Sequence, residues 1–147
     1  MTIKERIDIA LEYRKQGYNC AQAIIVAYID VCPNITLEQA MTISYGFGGG
    51  IGGMRETCGC ISGAAMVLSL IHGKSESNPK QKMIVNKKIT TVTEEFNAME
   101  GSMICGELLT LRETNKPIKR KPCNDYIVDT ICILEKYIRK EEVEVSI

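Results

Sequence analysis

The chain has 147 residues, 45% of them hydrophobic and 24% charged, and its 18 Lys and Arg balance its 18 Asp and Glu. That length fits one domain covering 1–147, and zero net charge gives no general attraction to nucleic acid or to an acidic membrane surface. No apolar stretch reaches the roughly 18–20 residues a membrane span needs, and the charged start Met1-Thr-Ile-Lys-Glu-Arg6 has no signal-like apolar segment, so a cytoplasmic protein is expected.

Thr2 and Glu5 form a capping-box pattern that opens a first helix over 3–16, with Ile3, Ile7, Ala10, Leu11 and Arg14 at helical spacing. Asn19 and Gln22 repeat the pattern before a helix over 20–31 that is apolar nearly all round, which marks it as buried. Thr36 and Gln39 open a third helix over 37–46. A glycine-rich loop, Gly46-Phe-Gly-Gly-Gly-Ile-Gly-Gly53, then feeds a central apolar helix, with Thr57 as its cap and Gly73 as its stop. Asn78 as cap and Pro79 at the first position start a long fifth helix. Its face is Val85, Ile89, Val92, Phe96 and Met99, and Gly101 ends it. Residues 102–111 supply one or two helical turns, and 112–122 read as a polar, basic loop. A last helix opens at Cys123 with Ile127, Val128, Ile131, Leu134 and Ile138 on one face, and the alternating tail 141–147 is expected to fray or to add at an edge. No strand pattern runs through the body, so the fold expected is an all-α, single-domain bundle of five to seven helices, with the glycine loop before a buried central helix.

Seven cysteines in a reducing compartment point to redox chemistry or metal binding rather than to a disulfide framework. Cys20, Cys58 and Cys123 fall at predicted helix starts, where free N–H groups and the helix dipole favour a thiolate. Gly48-x-Gly50-x-x-Gly53 matches a dinucleotide-binding spacing, but a helix rather than a strand precedes it. Met54 rather than Lys after Gly53 excludes a phosphate-binding P-loop. The loop is therefore read as close backbone packing. His72 is read as a dipole partner at a helix end, Lys116–Lys121 as a solvated run, and Cys32 and Cys132 as structural.

Thr57-Cys58-Gly59-x-x-x-Gly63-Ala64 after the glycine run, with Asn19-Cys20-Ala21-Gln22 upstream and Cys105 and Cys123 downstream, is similar to the redox-active C_GCAxxG_C_C family. The resemblance covers nearly the whole chain and implies a functional role for Cys20, Cys58, Cys105 and Cys123. Cys60 stands where the family has Ala and adds a fifth thiol. The leading expectation is a thiol–disulfide oxidoreductase with Cys58 as exchanging thiol, Cys60 as resolving partner, and Cys20, Cys105 or Cys123 supplying a second sulfur to an unidentified redox partner. The alternative is an iron–sulfur cluster or zinc held by Cys20, Cys58, Cys105 and Cys123, although paired zinc and compact ferredoxin spacings are absent. A third reading is a structural or partner-binding module that associates, with its own copies or others, through the Val85–Met99 stripe. Antiparallel helix neighbours put alternate helix starts on one side, which predicts that the four family cysteines meet.

Overall fold

Side-chain caps set where the helices begin. A computed structural model describes residues 1–110 and 121–146, with side chains through Arg139. The Thr2 hydroxyl accepts from Glu5 N–H at 3.1 Å and starts α1 (Ile3–Lys15). Full capping boxes form at Asn19 with Gln22 before α2 (Cys20–Ala27), and at Thr36 with Gln39 before α3 (Leu37–Ile43). Each such cap stabilises its helix by about 1 kcal/mol. The central helix α4 covers Gly59–His72. Asn78 caps α5 (Pro79–Glu100), which ends on left-handed Gly101 at φ 87°. The short α6 (Cys105–Thr110) and the long α7 (Cys123–Ser146) complete the chain. Two 3-10 turns, Ile29–Val31 and Tyr45–Phe47, extend α2 and α3. The architecture is all-α: among the described residues the only β-type pairing is a single bridge, Thr57 to Ile104.

Helix α2 is the hub and packs against α1, α3, α4 and α7. Its seven residues Ala21–Ala27 are all buried, as its uniformly apolar sequence requires. Its closest approach is to α4, where Gly63 makes room. A Cβ on Gly63 would lie 2.8 Å from Ile24 Cβ and 3.0 Å from the Ala21 carbonyl oxygen. One turn earlier, a Cβ on Gly59 would lie 3.1 Å from Cys20 Cβ. Glycines four residues apart thus let two backbones meet, and this draws the start of α2 against the start of α4. Val92 and Phe96 of α5, and Ile127, Ile131 and Leu134 of α7, close the core.

The structure corrects several expectations. Thr57 is not the cap of α4; it pairs with Ile104, and Cys58 takes the cap position. Gly73 ends α4 in an extended rather than left-handed conformation, and it is needed because a Cβ there would lie 2.4 Å from the Ser69 carbonyl oxygen. The tail continues α7 as helix to Ser146 instead of fraying. On α5, Met99 is 44% exposed and Glu100 is buried in its place, because Lys121 Nζ meets the Glu100 carboxylate at 2.9 Å. On α1, Ile3 is exposed while Arg6 is buried. Arg6 donates to Asp30 Oδ1 and to the Ala27 carbonyl, both at 2.7 Å, and its Nε lies 3.4 Å from Glu135 Oε2. Cys132 is exposed rather than packed among core positions. The predicted basic loop lies outside the described residues up to 120.

Candidate functional site

The glycine loop is a left-handed turn. Residues 49–53 all have positive φ, between 58° and 74°. Four of them are glycine; Ile51, at φ 62°, carries a strain of about 1–2 kcal/mol that L-residues incur there. The turn is closed by Gly52 N–H to the Gly46 carbonyl at 2.7 Å, and by Arg55 and Glu56 N–H to the Gly49 and Gly50 carbonyls, each at 2.9 Å. Gly50 is held against Cys105: a Cβ on it would lie 2.7 Å from Cys105 Cβ. Left-handed backbone at Gly49, Gly50, Gly52 and Gly53, with close contacts at Gly48 and Gly50, accounts for these glycines.

Beyond the turn, residues 55–58 run antiparallel to 103–106. Cys58 N–H donates to the Met103 carbonyl at 2.8 Å, Cys105 N–H to Glu56 at 2.6 Å, and Gly106 N–H to Arg55 at 2.9 Å. Two segments nearly fifty residues apart are thereby clamped together, and each carries a cysteine. These bonds, made by the residues on either side of Thr57, set it opposite Ile104 rather than at the cap.

The result is one cavity of about 210 Å³ lined by Cys20, Cys58, Cys60, Cys105 and Cys123, with Arg14, Arg55 and Tyr126 among the other walls. Cys20 and Cys123 are the first residues of α2 and α7, Cys58 caps α4, and Cys60 lies in its first turn. Three helix N-termini thus converge, and their partial positive charges favour an anion. All seven cysteines are free thiols; Cys58 and Cys60 are buried, whereas Cys20, Cys105 and Cys123 are half-buried. Cys32 and Cys132 lie outside the cavity.

Four of the thiols form a hydrogen-bonded row. Cys123 and Cys60 both hold the Cys20 thiol far below its ordinary 9.0, to about 3, with help from the Arg14 charge. Cys60 also lowers Cys58, aided by the backbone N–H groups of Cys60 and Ile61. The donors shift the other way: Cys60 is raised by Cys20, by Cys58 and by full burial, and Cys123 by Cys20 and by burial. The contacts of Cys20 with Cys60 and Cys123, and of Cys58 with Cys60, favour thiolate character at Cys20 and Cys58 over Cys60 and Cys123. Cys105 stands apart from the row, with Arg55 Nη1 donating to its Sγ at 3.8 Å. Burial pushes the Cys32 thiol up to about 11.

Among the described residues, no group of three or more His, Cys, Asp or Glu side chains has an arrangement that could hold a metal ion. Cys20, Cys58, Cys105 and Cys123, the ligands of the alternative metal reading, line one cavity without forming such a group in this structure. With Cys105 turned to Arg55, the other sulfurs face one another in a row. Sequence reasoning missed Arg14 and Arg55 as members of the site. A signal existed for the first, a charged residue continuing the apolar stripe of α1. None existed for Arg55, whose place depends on the left-handed turn.

A family profile described as "Putative redox-active protein (C_GCAxxG_C_C)" matches residues 18–137. An uncharacterized protein of Archaeoglobus fulgidus is 28% identical over 126 residues, covering 80% of this chain and 83% of that one. No solved structure matches. The profile spans most of the chain and every cysteine of the cavity, and the chain belongs to the C_GCAxxG_C_C family.

Proposed function

We propose that the protein carries out thiol–disulfide exchange, with Cys20 as the attacking thiolate and Cys123 as its resolving partner. The observation that carries this reading is the half-buried pair Cys20 and Cys123, the first residues of α2 and α7, in one cavity with the buried thiols Cys58 and Cys60. Only the thiolate attacks a disulfide. Cys58, expected as the exchanging thiol, is 6% exposed and Cys60 is fully buried, so we assign them to holding charge on Cys20 rather than to meeting a substrate. A cytoplasmic setting, where resting thiols stay reduced, fits this chemistry.

In the exchange, the Cys20 thiolate attacks one sulfur of a partner disulfide. A Cys20–partner S–S bond forms, and the partner's other sulfur leaves as a thiolate and takes a proton from solvent. Cys123 then attacks Cys20 Sγ, closing a Cys20–Cys123 disulfide, and its proton passes to the second departing sulfur. Two electrons have moved to the partner, which leaves as a dithiol or as two thiols. A reductant of the same chemical class, a dithiol, reverses the steps.

The test is a redox titration against glutathione buffers between about −350 and −120 mV, with thiols trapped by alkylation and mapped by mass spectrometry. A single reversible Cys20–Cys123 disulfide is expected, and Cys123→Ser should leave Cys20 as a mixed disulfide with glutathione. If no cysteine pair changes state over that range, the reading fails.

A further inference from the structure

We infer that the cavity selects a small disulfide that carries a carboxylate or similar anionic group close to its S–S bond. The inference rests on the thiol-exchange reading and adds the class of substrate. Three observations support it. The first is size: about 210 Å³ is below the roughly 300–1,000 Å³ of sites that enclose drug-sized ligands, so it admits one short arm of a disulfide rather than a folded domain or a long peptide. The second is charge. Arg14 and Arg55 line the cavity, and no Asp or Glu is among the described residues that do. The third is that both guanidinium groups are placed without a carboxylate partner among the described residues. Arg14 donates to the Tyr18 carbonyl at 3.0 Å and to Asn124 Oδ1 at 3.3 Å, which are neutral acceptors. Arg55 is exposed, and among the described residues it donates to Cys105 Sγ, at 3.8 Å.

The geometry gives each group a task. A disulfide sulfur placed at Cys20 leaves its short arm within a cavity whose walls carry two cations. Arg14 is shared with the Cys20 thiolate, whose charge it already helps to hold. Arg55, beside Cys105, is left to meet an incoming carboxylate. With the Cys20 thiolate set against Arg14, Arg55 leaves the cavity net positive; a charged cleft raises the encounter rate of the opposite sign by about 10–10³-fold, and salt removes the effect.

The experiment uses three disulfides of matched arm length: 3,3′-dithiodipropionate (anionic), 2-hydroxyethyl disulfide (neutral) and cystamine (cationic). The rate at which each oxidises the reduced full-length protein is divided by its rate with free 2-mercaptoethanol, which removes differences in intrinsic reactivity. At low salt the anionic probe should exceed the cationic one by about tenfold or more, and the ratio should fall toward one at about 0.5 M salt. Arg55→Gln should slow the anionic probe at least about threefold and leave the neutral probe within about twofold; Arg55→Lys should restore part of the loss. A ratio near one or below, in a protein whose Cys20–Cys123 pair still cycles with glutathione, overturns this inference alone and points to a macromolecular partner. Equal slowing of all three probes by Arg55→Gln also overturns it, since Arg55 would then act only on the thiols. A protein that reacts with no probe and forms no disulfide in the glutathione titration removes the exchange reading itself.

Discussion

Gly63→Ala tests the packing that brings the thiols together. The new methyl would sit 2.8 Å from Ile24 Cβ, 3.0 Å from the Ala21 carbonyl oxygen and 3.2 Å from Ala21 Cα. None of these atoms can rotate away, because two are backbone and the third is the branched Cβ of a residue that is itself fully buried. Helices α2 and α4 must therefore separate. Overpacking of this kind costs about 1–3 kcal/mol, and Ala in place of Gly in a helix interior returns about 0.8–1 kcal/mol. The net expectation is a loss of about 0–2 kcal/mol, and each kcal/mol in a chain near this size lowers Tm by about 2–4 °C. Urea unfolding measures it, with Gly46→Ala as control. Gly46 has nothing within 4 Å of a built Cβ and no positive φ, so its change should stay within about 0.5 kcal/mol. Separation of the helices also pulls Cys20 from Cys60, so the Cys20 alkylation rate near neutral pH should fall in Gly63→Ala. A Gly63→Ala protein more stable than the parent by about 0.8–1 kcal/mol would refute the close-packing argument and leave helix propensity as the only effect.

Two further outcomes follow from the charges. The Cys20 pKa is depressed from 9.0 to about 3, chiefly by the Cys123 thiol, so the thiolate is already present at every pH above that value. Its iodoacetamide rate, read residue by residue by mass spectrometry, should be nearly flat from about pH 5 to 8. Cys32, raised to about 11, should instead climb about tenfold per pH unit. Cys123→Ser should turn the Cys20 profile upward with pH, and a climbing Cys20 profile in the parent protein would place the charge elsewhere. Arg6→Met should cost about 3–5 kcal/mol in urea unfolding, because Glu135, 3% exposed, loses the guanidinium 3.4 Å from its carboxylate. A loss under about 1 kcal/mol would show that Tyr28 and Arg139, which also donate to Glu135, suffice without it.

Local chemistry was readable in the chain. Asn19, Thr36 and Asn78 announced their helices because a cap is a bond between a side chain and a backbone group three residues on, and nothing distant enters into it. The uniformly apolar 20–27 segment announced a buried helix for the same reason, and the cysteine order announced the family. Thr57 was misread, and the burial of Glu100 and Arg6 was not foreseen, because each answers to a residue far along the chain: Ile104, Lys121, and Asp30 with Glu135. An unpaired buried charge is too costly to bury, so whether Arg6 or Glu100 turns inward depends on a partner that periodicity cannot display. The site divides in the same way. The sequence by itself determined which thiols stand at helix starts and that a glycine run precedes the central helix. Only the tertiary structure decided that five thiols share one cavity, with Cys20 half-buried and Cys58 covered. That outcome is set by the close crossing of α2 and α4 at Gly63 and by the clamp of 55–58 on 103–106.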